Sequence, residues 1–102
     1  MQHENDAILA RLQAERIQAR HDDTGGSVFV VMVPVRNDLE IGIAIDGGFS
    51  VALYDVANED WPWLEDYAFY ASTLDAVVSV IRNVTQAPNK NAGMETFKRY
   101  MP

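Results

Sequence analysis

Residues Ser27–Val56 read SVFVVMVPVRNDLEIGIAIDGGFSVALYDV, and the order of apolar runs and turn formers in this stretch decides the fold. Three runs stand out: Val28–Val35, Glu40–Ile45 and Phe49–Val56. Asn37-Asp38 separates the first two, and Asp46-Gly47-Gly48 the last two. β-Branched and aromatic residues fill the runs and turn formers bound them, which predicts a three-stranded antiparallel meander.

The second turn sets the side chains that share a face. A two-residue Gly47-Gly48 turn would put Ile41, Ile43 and Ile45 on the side opposite Phe49, Val51 and Leu53. A three-residue Asp46-Gly47-Gly48 loop, with one glycine in the left-handed region, sets Ile45 opposite Phe49, Ile43 opposite Val51 and Ile41 opposite Leu53. All six apolar residues then share one face. A one-residue slip turns every side chain over, so burial selects the second register. The reverse face is Glu40, Gly42 and Ala44 against Tyr54, Ala52 and Ser50. It is a low surface that either meets solvent or admits the close approach of another chain.

The first run is apolar on both faces, with Val28, Val30 and Met32 on one and Phe29, Val31 and Val33 on the other. Such a strand is ordinarily buried on both sides. Pro34 lacks an N–H and belongs at an edge or a strand end. A helix or a second copy of the chain must cover the second face. The expectation is therefore a homodimer built on Phe29, Val31 and Val33.

Upstream, Asn5 or Asp6 can cap a helix running to about Arg20, with Ile8, Leu9, Leu12 and Ile17 as its apolar stripe. His21–Gly26 follows as a polar loop. It matches neither a calcium loop, which needs alternating ligands and a distal Glu, nor a phosphate loop of the GxxxxGK[ST] form.

Downstream, Ala57–Glu65 reads as a loop around Trp61-Pro62-Trp63. Tyr67–Ala71 reads as a fourth strand. Ser72 then caps a helix, with Asp75 at its third position. Leu74, Val77, Val78, Ile81 and Val84 form its stripe, and Pro88 lies beyond its end. The fold expected is α+β: an N-terminal helix, a four-stranded antiparallel meander sheet, and a C-terminal helix packed on the sheet. Residues 1–88 form the single domain, and 89–102 a polar linker with a short helix or tail carrying Met94, Phe97 and Met101.

The 102 residues contain no cysteine, which excludes disulfides and thiol chemistry. No signal peptide and no membrane-spanning run is visible, so the expectation is a cytoplasmic protein with no membrane partner, in the host cytoplasm if it is phage-encoded. The net charge is −7. Between Asn37 and Ile81 there is no Lys or Arg, but there are Asp38, Glu40, Asp46, Asp55, Glu59, Asp60, Glu65, Asp66 and Asp75. Phosphate contacts need cations, so direct nucleic-acid binding is not expected and a basic protein partner is.

Catalytic equipment is missing. The two histidines, His3 and His21, belong to no metal-ligand pattern, and no serine sits in a GxSxG elbow. The chain is read as a non-enzyme with no catalytic residue, no metal ligand and no cofactor. Its candidate partner-binding residues are Asp55, Glu59, Asp60, Trp61, Trp63, Glu65 and Asp66, where carboxylates steer a basic partner and a tryptophan anchors it; the alternative is that the tryptophans fold back to cap the open end of the core. The function that fits is a small acidic inhibitor, of immunity or phage anti-defence (anti-CRISPR-like) type, that blocks a basic nucleic-acid-binding surface. The alternatives are a self-associating accessory domain and a small-ligand site between sheet and helix.

Overall fold

Alternation in the apolar runs makes a sheet with one buried face, and amphipathic helices cover that face. The computed structural model describes residues 2–23, 29–45, 47–58, 60 and 62–102, with backbone alone for 2–5, 22–23, 29–30, 63 and 65. The order is α1 (Gln2–Ala14), β1 (Arg20–Asp23), β2 (Phe29–Pro34), β3 (Leu39–Ile45), β4 (Phe49–Asp55), β5 (Trp63–Ala71), α2 (Leu74–Thr85) and α3 (Lys90–Lys98). The strands form one antiparallel sheet in the order β1-β2-β3-β4-β5.

The central hairpin has the register expected from burial. Ile41 pairs with Leu53, Ile43 with Val51 and Ile45 with Phe49. Gly47 sits at φ 69°, the left-handed conformation that the three-residue loop demands. Ile41, Ile43, Val51 and Leu53 are wholly buried, on the face the helices cover.

The sheet has five strands where the sequence predicted four. The additional one is β1, in a stretch read as helix end and polar loop. Arg20-His21-Asp22-Asp23 carries no β-branched or aromatic residue, so nothing local announces a strand. Its pairing with β2 supplies the structure instead. Helix α1 begins at Gln2, before the expected caps, and ends at Ala14 rather than near Arg20. Its end is a Schellman motif. Arg16 adopts φ 62°, its N–H donates to the Gln13 carbonyl at 3.0 Å, and the Ile17 N–H donates to the Leu12 carbonyl at 2.8 Å.

β5 starts at Trp63, four residues before the expected strand, so Trp63 and Glu65 belong to the sheet and not to a loop. A register irregularity between the Ala52 and Tyr54 pairings absorbs the extra residues: Ala52 faces Ala68, but Tyr54 faces Trp63. Thr73, not Ser72, caps α2, accepting from the Ala76 N–H at 3.2 Å.

The C-terminal segment is a short helix lying on the core. Asn89 caps α3, accepting from the Ala92 N–H at 2.8 Å. Phe97 is wholly buried, 5.3 Å from the Phe69 ring, a burial that contributes about 1.5–3 kcal/mol. Gly93 allows the approach, since a Cβ there would lie 3.1 Å from Leu39 Cδ1. Tyr100 stacks on Phe69 and shares a hydrogen bond with Ser79 Oγ at 2.9 Å.

The expected dimer face requires correction. Val31 and Val33 are wholly buried within the single chain, where α1 packs on β2 and brings Ile8 and Leu12 into the same cluster. They are not available to a second copy. The Phe29 side chain lies outside the described residues.

Candidate functional site

The turn after β4 is built by one carboxylate. The Asp55 N–H donates to the Pro62 carbonyl at 2.6 Å, closing the base of the loop, and the Asn58 N–H donates to the Asp55 carbonyl at 3.1 Å. One side-chain oxygen of Asp55 accepts from the Ala57 N–H at 3.2 Å, an Asx turn. The other meets Lys90 Nζ at 2.5 Å, and the Asp55 side chain is only 14% exposed. Both oxygens are engaged, so the geometry makes Asp55 the loop's anchor. The sequence offers no base near it because Lys90 lies 35 residues on, at the start of α3.

Asp60 and Asp66 are exposed and make no ion pair among the described residues. They flank Pro62 and the first residues of β5. Glu59 and Trp61 lie outside the described residues, as do the side chains of Trp63 and Glu65. Trp63 has its backbone opposite Tyr54, at the sheet's end.

Several acids elsewhere are answered by ion pairs within the chain. Arg11 pairs with Asp75 at 2.5 Å and with Glu15 at 3.0 Å, while Arg82 meets the second Glu15 oxygen at 2.5 Å. This network joins α1 to α2. Hydrogen bonds donated by Arg11 and then Arg82 hold the Glu15 carboxyl below the usual range, and those Arg11 donates to Asp75 and then Glu15 raise the arginine. Arg36 donates to Asp38 at 3.0 Å and to the Ala87 carbonyl at 3.1 Å, tying the β2–β3 turn to the end of α2.

A second surface is the sheet face opposite the helices. Arg20, Met32, Gly42, Ala52 and Ala68 form one row across all five strands. Beside that row, Ala44 pairs with Ser50 and Ser50 with Tyr70, which is 66% exposed. The small residues anticipated on this face are in place. Met32 is nonetheless 5% exposed. Arg20 of β1 reaches Glu40 of β3 and so crosses above β2, a cover that sequence spacing does not reveal.

An open groove of about 730 Å³ lies between the end of α1 and the β1–β2 edge, with Leu9, Ile17, Ala19 and Pro34 as its apolar lining. Among the described residues no three of His, Asp or Glu come together as metal ligands, and no helix is long and apolar enough to cross a membrane.

Comparison of the chain with protein families, with characterised proteins and with solved structures gives no match.

Proposed function

We propose that this is an acidic protein-binding domain that occupies a basic, nucleic-acid-binding surface of a target protein, as an inhibitor of immunity or anti-defence type. The observation that carries this reading is the distribution of paired and unpaired charge. Arg11, Arg20, Arg36, Arg82 and Lys90, five of the eight Lys and Arg residues, are taken up by internal ion pairs. Asp60 and Asp66 have no such partner among the described residues, and Glu59 and Glu65 adjoin them in sequence. In a net −7 chain with five of its eight cations taken up internally, the carboxylates of Asp60 and Asp66 are left to present negative charge to a partner.

The test is capture from a cell lysate on the immobilised protein, at low and high ionic strength, with mass spectrometry of what is retained. Basic nucleic-acid-binding proteins are expected at low salt, released as salt rises and displaced by added DNA. Glu59→Lys with Asp60→Lys should slow their association while the melting temperature holds. Retention that is indifferent to salt, to DNA and to this charge reversal overturns the reading.

A further inference from the structure

The sequence treats the two edges of the sheet differently. β1 is a four-residue strand made wholly of ionisable residues, Arg20, His21, Asp22 and Asp23. Short, charged edges of this kind resist pairing with other chains. β5 forms the opposite edge, is nine residues long, and has no strand on its outer side among the described residues. Its final stretch, Tyr67–Ala71, holds no charge and no proline. From Ala68 to Ala71 its register with β4 is regular. Nothing in that stretch blunts it.

We propose that β5 pairs edge to edge with β5 of a second copy, antiparallel, about a two-fold axis at Phe69. This proposal is independent of the basic partner above. Three features favour a copy of the same chain. First, an antiparallel two-fold at Phe69 sets residues of equal parity opposite each other. The helix layers of both copies therefore stay on one side, and the sheet continues across the seam. Second, Tyr70 falls opposite Ala68 of the second copy on the open face, and both positions are exposed. A bulky exposed side chain, 66% accessible, meets a small one, and the symmetry makes that pair twice. Third, Glu65 and Asp66 precede the uncharged stretch. The antiparallel arrangement sends the two acidic ends to opposite ends of the seam, about 20 Å apart, beyond the screening length of physiological salt.

The seam is short, so association is concentration-dependent. Sedimentation equilibrium from micromolar to millimolar protein should show the mass climbing from 11.4 kDa towards twice that value. Ala68→Glu with Tyr70→Glu places like charges opposite each other and should hold the mass at 11.4 kDa. Ala68→Glu with Tyr70→Lys places opposite charges there and should restore association. Both positions are solvent-exposed, and circular dichroism checks that each variant is folded. A wild-type protein that stays monomeric at millimolar concentration overturns the proposal. So does a folded double-glutamate variant that associates like wild type, or a Glu/Lys variant that stays monomeric.

Discussion

Arg20 on β1 and Glu40 on β3 close a 2.9 Å ion pair across the intervening strand β2, above the row that contains Met32. The pair joins strands that share no backbone hydrogen bond, and it spans the strand that carries Met32, which is 5% exposed on the face opposite the helices. The Arg20 side chain is 53% exposed and Glu40 only 15%. Its charge contribution is therefore that of a surface pair, below about 1 kcal/mol, and the arginine stem adds apolar cover. Arg20→Ala should destabilise more than Arg20→Lys. A double-mutant cycle with Glu40→Gln in urea melts should return a coupling smaller than the full Arg20→Ala loss.

Asp55 is expected to matter to the fold through both its oxygens. Asp55→Ala removes the Asx turn and strands Lys90, and should cost about 1–3 kcal/mol in chemical denaturation. Lys90→Met removes only one partner and keeps the aliphatic stem, so its loss should be the smaller. An Asp55→Ala variant as stable as wild type contradicts the anchoring role.

Two left-handed positions make opposite predictions. Arg16→Gly relieves a non-glycine residue from φ 62° and should raise stability by about 0.5 kcal/mol, the relief exceeding the added freedom of the unfolded chain. Gly47→Ala should lower it by about 1 kcal/mol, although a Cβ at Gly47 meets nothing within 4 Å. The cost there is conformational and not steric. Thermal melts of the two variants measure both signs.

Glu15 makes stability depend on pH at the acid end. Its carboxyl is held below the usual range by Arg11 and then Arg82, so the folded chain binds that proton more weakly than the unfolded one. The stabilisation is complete above the unfolded value and is lost as pH falls through the folded value. Glu15→Gln should therefore be less stable than wild type near neutrality. The difference should narrow on acidification, and molar salt should shrink it at any pH.

Trp61 is the anchor candidate of the acidic loop. Trp61→Ala should weaken binding to the captured partner by about 2 kcal/mol or more and leave the urea midpoint in place. A fall in the midpoint with affinity retained assigns the ring to the fold.

What the sequence made legible was the periodic part. The Ile41–Ile45 and Phe49–Leu53 register, the left-handed glycine, α2 and its stripe all follow from residues close in the chain, because alternation and turn chemistry are local. β1 escaped because its strand state is imposed by β2. The end of α1 escaped because an arginine, not a glycine, takes the left-handed position. The start of β5 escaped because an irregular register hides the pairing of Trp63 with Tyr54. The candidate site was legible as a run of carboxylates. The capture of Asp55 by Lys90 was not, because no local pattern connects two ionic residues so far apart in the chain.

Every strand of the sheet pairs with its immediate neighbour in sequence, so each ladder closes over a short connection. Loop-closure entropy is therefore small at every step, and the sheet can assemble hairpin by hairpin. Among the described ion pairs, the one with the widest span in the chain joins the end of α1 to α2, where Arg82 meets Glu15 across 67 residues. Docking of α1 against α2 is therefore expected late in refolding, after the sheet has assembled. Glu15 and Arg82 lie at that junction, so changing them should speed unfolding far more than it slows folding.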